Sequence, residues 1–282
     1  METLRLGHHL VLFLDVLGQR DKFTGLALPR NISEETQVQE VLRQTAGFVL
    51  GLRDLFRTQF TLFEQGANAS RFTTGPLSPN LVGFSDSFVV SVPLRNEGGD
   101  LVPIVTVFSA LSAAATMMLT SLASKHALRG GVDVGLAAEL PAGEIYGTAL
   151  ERAYLLECNV AQYPRIVIGE ELWNYLNCVL REFGNRSDGL ARAITAIAEK
   201  CIGLIAKDTD GQSILDYLGP VVLGNSVPAH KDSIIRPAYE FVLAEQQRLA
   251  AAGNLKLVER YGLIRQYFES KLPLWGVPIS GL

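Results

Sequence analysis

Residues 11–20 read VLFLDVLGQR, and this stretch decides which fold the sequence predicts. Its first four residues are apolar, as in a buried strand, but Asp15 then follows, and Gly18 comes three residues later. An acid beside glycine at a strand end can cap the following turn, or it can reach a ligand at the edge of a sheet. The role of Asp15 therefore depends on whether a second acid lies near it.

The composition restricts the classes of partner. The chain has 282 residues, of which 48% are hydrophobic, so it can form one large domain with an extension. A formal net charge of -4 and the lack of a Lys/Arg block argue against nucleic acid and membrane surfaces as partners. The cysteines form no Cys-x-x-Cys pair, which argues against zinc, and no signal-peptide pattern opens the chain. We therefore expect a cytoplasmic protein with free thiols.

Residues 101–124 carry no charge over 24 positions, which is long enough to suggest a membrane span. However, Pro103 and seven serines and threonines interrupt the run, and the hydroxyl and apolar side chains fall on opposite faces of a helix. We predict a buried amphipathic helix.

Strand-like and helix-like segments alternate along the chain. Strands are predicted at 8–15, 81–84, 88–92, 128–135 and 165–169, and helices from Ser33, at 104–125, 148–158, 170–182 and 188–200, with a polar linker at 65–80. Two more strand-like runs lie within 201–218, and helices at 234–252 and 255–270 close the chain. This order predicts an α/β sandwich with a mixed sheet, followed by a helical extension.

The segment Asp208-Thr-Asp-Gly joins the two strand-like runs within 201–218. Its acids suggest a calcium loop, but no glutamate completes a twelve-residue loop, so a hairpin turn is the favoured interpretation.

The second acid is Asp86, which lies between the short runs LVGF and FVVSV and is flanked by Ser85 and Ser87. This pattern indicates a hairpin with Asp86 at its tip. Two carboxylates at a strand end and a hairpin tip can bind one divalent ion, and without a cation they would repel each other. The alternative is that Asp15 caps a turn and Asp86 only makes a polar hairpin tip.

Four segments together resemble the catalytic domain of class III nucleotidyl cyclases: FLDVLG, FSDSFVV, LRGGVDVG and EIYGTALERAYLLE, in that order. The likeness covers roughly residues 8–220 and is greatest to the bacterial Pycsar cyclases, which make cyclic UMP or cyclic CMP in antiphage defence. It implies a ferredoxin-type sandwich of α+β class over residues 1–220 and a helical extension over 221–282.

The resemblance also implies roles for individual residues. Asp15 and Asp86 match the catalytic, metal-binding aspartates, and the carbonyl of Val16 is a further ligand for two Mg²⁺ or Mn²⁺ ions. Lys207 matches a lysine that contacts the terminal phosphates, although it can also be a solvated strand-end lysine. Arg20 is another phosphate-binding candidate, for which surface charge is the simpler interpretation. In this family two protomers complete each site, so we expect a homodimer.

The sequence departs from the family pattern at the transition-state residues. The expected asparagine and arginine are replaced by Glu151 and Leu155, and Arg152 could supply a cation only with altered geometry. A divergent cyclase is the favoured interpretation. The alternatives are a non-catalytic nucleotide-binding or interaction protein on the same fold, and a different two-metal phosphotransferase.

Val82 and Glu144 stand at the positions that read the base in the family. Valine offers no donor to a purine nitrogen, whereas the carboxylate of Glu144 can accept a hydrogen bond from uracil N3-H or from the cytosine amino group. The resemblance therefore implies UTP or CTP as the substrate, with a purine nucleotide as the alternative.

Overall fold

The computed structural model describes residues 5–24, 26–66, 78–94 and 104–278. Within these ranges the strands are β1 (Arg5–Val16), β2 (Asn80–Phe84), β3 (Ser87–Pro93), β4 (Leu128–Glu139), β5 (Ile145–Gly147), β6 (Ile166–Ile168), β7 (Ile205–Lys207) and β8 (Ser213–Leu215). The helices are α1 (Gln19–Phe23), α2 (Ile32–Gly66), α3 (Ile104–Ala123), α4 (Thr148–Leu155), α5 (Glu170–Phe183), α6 (Gly189–Gly203), α7 (Pro220–Gly224), α8 (Arg236–Ala251) and α9 (Leu255–Lys271).

The strands form one open sheet in the order β2-β3-β1-β4-β6-β8-β7, and β5 pairs with the end of β4. The β4–β6 pair is parallel and the other pairs are antiparallel, so the sheet is mixed. This sheet and its flanking helices confirm the predicted α+β sandwich.

Strand β1 is buried on both faces, which explains the continuous apolar run of residues 11–14. Leu10, Leu12 and Leu14 belong to the main core, which also contains residues of α2 and α3. The alternate residue Val11 lies in a smaller cluster with Ala149 and other residues of β4, β5 and α4 on the opposite face. Asp15 continues the row of Val11, so its side chain lies on the α4 face of the sheet.

Helix α3 is the only helix within the described residues that is long and apolar enough to cross a bilayer, and most of it is buried inside the protein. The prediction of a buried helix is confirmed. Its hydroxyl face is also covered, because Ser109 and Ser112 are both buried. Helices α2, α6 and α8 contact α3 and provide this cover.

The C-terminal helices pack on the rest of the chain through the same hydrophobic core. Tyr239, Phe268 and Trp275 belong to the cluster that contains α3. The buried carboxylate of Asp216 accepts hydrogen bonds from Tyr267 Oη at 2.7 Å and Lys271 Nζ at 2.6 Å. The boundary at residue 220 stays a prediction.

Several predicted boundaries were wrong for local reasons. Asn31, rather than Ser33, caps α2: its side chain accepts from the backbone N–H of Glu34 at 3.0 Å, and Glu34 accepts in return from Arg30 N at 2.8 Å. Residues 201–203 continue α6 instead of forming a strand. The three-residue strand β5 was not predicted. Most of the predicted linker at 65–80 lies outside the described residues.

Candidate active site

Asp15 lies near the end of β1, between two neighbouring strands that each supply a partner. It is paired with Ser87 of β3 and with Arg129 of β4. Ser87 Oγ donates a hydrogen bond to Asp15 Oδ1 at 2.8 Å, and Arg129 Nη2 lies 3.4 Å from Asp15 Oδ2. The side chain of Asp15 remains 18% exposed, so a ligand can still reach it.

Asp86 is held beside the end of β1 by the backbone. Strands β2 and β3 are joined by a two-residue turn, Ser85–Asp86, in which Ser85 has φ 55°. The N–H of Val16 donates to the carbonyl of Asp86 at 3.2 Å. The hairpin tip and the strand end therefore meet, and the predicted hairpin is confirmed.

Burial and several neighbouring groups shift the pKa of Asp15. Burial raises the pKa of Asp15, and the negative charges of Glu157 and Asp86 raise it further, while Ser87 and Arg129 act in the opposite direction. A divalent cation between the carboxylates would favour the charged form of Asp15.

The acids supply oxygen ligands of the type that Mg²⁺ prefers. Mg²⁺ is usually held by one or two carboxylates together with substrate phosphates and water, so Asp15 and Asp86 fit such an ion. Within the described ranges, no group of three or more His, Cys, Asp or Glu side chains is arranged to hold a metal. Any metal here would therefore depend on further oxygen ligands from the backbone, the substrate or water.

Glu157 is the charged residue of this site that sequence reasoning missed. It lies in the π-helical turn Leu156–Val160 that follows α4, and its carboxylate contacts Arg129 Nε. Its side chain is 3% exposed, whereas that of Arg129 is 25% exposed. Arg129 thus bridges a buried glutamate and Asp15.

Val82 and Glu144 lie on segments that contact each other. Val82 is opposite Val89, and Val89 is opposite Phe13, so Val82 shares the sheet face of Phe13 and Asp15. Glu144 is exposed and follows the 3-10 turn Pro141–Gly143, whose last carbonyl accepts a hydrogen bond from the side-chain amide of Asn80.

Lys207 lies far from Asp15 within one protomer. It is exposed on the edge strand β7 and donates to Ser213 Oγ at 2.9 Å. Four strand intervals separate β7 from β1, which corresponds to roughly 19 Å. A lysine side chain cannot span this distance.

Arg152 is also remote from the acids. Its Nη1 donates to the carbonyl of Val134 at 3.1 Å and lies 3.7 Å from Glu171 Oε1. Val134 is five residues along β4 from Arg129, which corresponds to roughly 17 Å. The side chain of Arg20 lies outside the described residues. Glu151 and Leu155 are exposed on α4.

The acids of the segment 208–211 have structural partners. Strands β7 and β8 form an antiparallel pair around this turn, which confirms the predicted hairpin. Asp208 and Asp210 bind the buried guanidinium of Arg165 at 2.7 and 2.6 Å. Their carboxylates therefore neutralise an internal cation.

Comparison with known proteins gives matches among solved structures alone, since neither a family model nor a curated protein matches the chain. Two structures of a bacterial light-regulated adenylyl cyclase match at 14% and 13% identity with TM-scores of 0.36 and 0.38, covering 61% of this chain and 45% and 46% of theirs. A class III adenylyl cyclase-like ATP-binding protein from Pseudomonas aeruginosa matches at 13% identity with a TM-score of 0.39, covering 71% of this chain and 41% of that one. This chain thus spans less than half the length of these structures, and at such scores the likeness assigns no activity.

Proposed function

We propose that the chain is a nucleotidyl cyclase that converts UTP, or CTP, to the 3′,5′-cyclic monophosphate and pyrophosphate. The observation that carries the proposal is the meeting of Asp15 and Asp86, which the Val16–Asp86 backbone hydrogen bond holds at one sheet end. The resemblance of four sequence motifs to class III cyclases, and to Pycsar cyclases in particular, supports the reaction type and a role as a cytoplasmic second-messenger synthase in antiphage defence.

In this mechanism Asp15 and Asp86 bind the divalent cations, and Ser87 orients Asp15 through its hydrogen bond. The cations, when bound, lower the pKa of the ribose 3′-hydroxyl and neutralise the triphosphate. The 3′-hydroxyl loses its proton to solvent water, its oxygen attacks the α-phosphorus in line to form a new O–P bond, and pyrophosphate leaves with the electron pair of the broken P–O bond. Arg129 contacts both Asp15 and Glu157, so a cation that binds Asp15 would compete with Arg129 for this carboxylate.

A homodimer is part of the proposal. The separation of Lys207 from Asp15 within one protomer agrees with a site in which the acids of one subunit face the Lys207 and Glu144 of the other. The exposure of Glu144 and of the α4 residues Glu151 and Leu155 leaves them accessible to a second protomer.

The pyrimidine preference rests on Val82 and Glu144. Adenine at Val82 would leave a ring nitrogen without a donor, which costs about 1–3 kcal/mol when the base is buried. The exposed carboxylate of Glu144 is free to accept from a pyrimidine edge.

The direct test is incubation of the purified protein with each of the four nucleoside triphosphates and Mn²⁺, followed by mass spectrometry and a pyrophosphate assay. We expect cyclic UMP or cyclic CMP in excess over the purine products. Faster cyclisation of ATP or GTP would refute the pyrimidine preference and leave the purine alternative.

A non-catalytic nucleotide-binding protein is the second candidate. The contacts of Asp15 with Arg129 and the replacement of the family's asparagine and arginine by Glu151 and Leu155 favour it. In that case no cyclic product would form with any nucleotide, but UTP with Mn²⁺ would still raise the thermal midpoint.

A further inference from the structure

Arg53 of α2 is a partly buried cation that has no acidic partner in the described part of the chain. The acid that follows it in sequence, Asp54, pairs with Arg57 at 3.2 Å instead. Burial lowers the pKa of Arg53, and the positive charge of Arg57 lowers it further. A guanidinium that is partly removed from water is usually paired with an anion, so we looked for an anion from outside these residues.

The guanidinium of Arg53 is fixed against the edge strand β2. A Cβ at Gly83 would overlap its Cζ and both of its Nη atoms, so only a glycine leaves room for the guanidinium there. On the neighbouring strand, the ring centroid of Phe88 lies 5.8 Å from Arg53 Cζ. The position of the guanidinium is therefore set before any ligand binds, which lowers the entropic cost of binding.

The part of this guanidinium that a ligand can reach is the edge formed by Nη1 and Nη2. Nε is buried without a hydrogen-bond partner, so it is closed to a ligand. Neither Nη atom of Arg53 is among the buried unpaired atoms, and neither bonds to a described residue. The two Nη groups together present N–H donors that match two oxygens of one phosphate or carboxylate group.

A second guanidinium one helical turn away favours a dianion over a monoanion. Arg57 follows Arg53 by four positions on α2, so the two side chains are neighbours on one side of the helix. Asp54 offsets only one of these two positive charges. We propose that Arg53 and Arg57 bind a phosphate group, which the Nη edge of Arg53 holds through two hydrogen bonds.

The proposed phosphate site is separate from the candidate active site. Gly83 is paired with Phe88 and Phe88 with Leu14, and the side chain of Leu14 lies in the core that contains α2 and α3. The phosphate site therefore lies on the α2 face of the sheet, whereas Asp15 lies on the α4 face. Because its ligands are cations of the protein, phosphate binding there should need no divalent metal.

Isothermal titration calorimetry with inorganic phosphate, in EDTA and at constant low ionic strength, tests the proposal. We expect saturable binding of one phosphate per chain with a Kd on the order of 1 mM or tighter. Acetate should bind at least roughly fivefold more weakly, because it carries a single charge. Uridine monophosphate distinguishes the two sources of the group: tighter binding than phosphate indicates a nucleotide, and equal or weaker binding indicates free phosphate.

Arg53→Met keeps an apolar side chain against Phe88 and removes the guanidinium, so it should weaken phosphate binding at least roughly tenfold. Arg53→Lys keeps the charge but loses the paired donors, and it should weaken binding roughly threefold or more. Arg186→Met is the matched control. Arg186 also lies over an aromatic ring, at 5.2 Å from that of Phe183, but it is paired with Asp188. This variant should bind phosphate as the parent protein does.

No saturable heat with phosphate, as for a guanidinium solvated by water alone, would overturn the proposal. An unchanged affinity in both Arg53 variants, or tighter binding of acetate than of phosphate, would do the same. Asp15→Asn should retain phosphate binding, and its loss in that variant would place the phosphate in the active site instead. The measurement contains no metal and no turnover, so its outcome is independent of the cyclase proposal.

Discussion

At the scale of single residues, the surroundings of Asp15 disfavour its charged form and raise its pKa. Burial raises its pKa, while Ser87 and Arg129 partly compensate for the cost of the charge. Replacement by asparagine keeps an oxygen that can accept from Ser87 and removes the charge. The fold should therefore tolerate the change, but a divalent cation would lose its ligand.

We predict that Asp15→Asn and Asp86→Asn each lower metal-dependent cyclisation by at least roughly 100-fold. The thermal midpoint without metal should change little. Initial rates with UTP and Mn²⁺ and a thermal melt of each variant check this prediction.

Asp188→Asn is the control, because Asp188 is an exposed cap of α6 and asparagine also caps helices well. It should leave the rate unchanged. Full activity in either site variant would mean that Asp15 and Asp86 are only turn-forming residues.

The Arg129–Glu157 pair is expected to matter for stability. Glu157 is almost completely buried, so Arg129→Met would leave its carboxylate without a countercharge, at a cost of about 3 kcal/mol in the free energy of unfolding. The double variant Arg129→Met with Glu157→Gln should recover most of this loss. Urea unfolding of the two single variants and the double variant measures the coupling.

Arg186→Met provides the comparison for an exposed pair, since the side chains of Arg186 and Asp188 are 52% and 47% exposed. We expect it to cost less than about 1 kcal/mol. Equal losses in Arg129→Met and Arg186→Met would show that the buried pair contributes no more than a surface pair.

At the scale of elements, the start of α5 depends on a buried acid in the neighbouring strand. The backbone N–H of Leu172 donates to Asp133 Oδ1 at 2.8 Å, and Gly169 lies so close to this carboxylate that a Cβ there would be 2.1 Å from Asp133 Cγ. Burial is the largest cause of the raised pKa of Asp133, and the hydrogen bonds from Val134 and Leu172 oppose it.

This raised pKa gives a pH dependence with a defined sign. The folded protein holds a proton on Asp133 more tightly than the unfolded chain, whose ordinary value is 3.8. The contribution to stability is present below 3.8 and is lost as the pH rises through the folded-state pKa. Asp133→Asn retains an acceptor for Leu172 and should lose less stability between acid and neutral pH than the parent protein.

Urea unfolding at several pH values measures this difference. Asp133→Ala should show the same reduced pH dependence but a lower stability throughout, by about 1 kcal/mol, because the cap is lost. Parallel pH profiles for the parent protein and Asp133→Asn would contradict the assignment.

The elements that the sequence predicted well were those with local signals. The acid at the end of β1 and the acid in the β2–β3 turn could both be found from runs of a few residues. The cap of α2 was placed two residues late, because Asn31 and Ser33 are both good capping residues. Strand β5 has three residues, too few for a periodic pattern to indicate it.

The long-range contacts could not be predicted in the same way. Glu157 follows Arg129 by 28 positions, and nothing in its local sequence indicates that it is buried. The separation of Lys207 from Asp15 depends on the order of the strands, which hydrophobic periodicity does not specify. The separation of Arg152 from Asp15 depends on the point along β4 at which its guanidinium binds. The packing of the C-terminal helices against the hydroxyl face of α3 is also a long-range contact that the local sequence does not indicate.

At the scale of the whole molecule, the proposed site requires two subunits. If Lys207 acts on nucleotide bound to the partner's acids, Asp15→Asn and Lys207→Ala should each be inactive alone. A mixed dimer of the two variants contains one site with both changes and one intact site. Random exchange of subunits should therefore restore about one quarter of the parent rate.

Activity after co-refolding or co-expression, together with light scattering, tests this expectation. Two Asp15→Asn chains mixed under the same conditions are the control and should remain inactive. A monomer with the full rate would exclude a shared site, and full activity of Lys207→Ala alone would show that Lys207 is only a strand-end lysine.

The burial of α3 on all sides has a consequence for synthesis. The helix ends at Ala123, but the segments that cover its hydroxyl face extend to Trp275, roughly 150 residues later. At a translation rate of about 5–20 residues per second, this uncharged segment leaves the ribosome roughly 8–30 s before the segments that bury it have been made. During that interval it resembles a membrane-targeting segment to any factor that samples nascent chains. We therefore expect chaperones that shield α3 until the last helices have been made to raise the yield of folded protein.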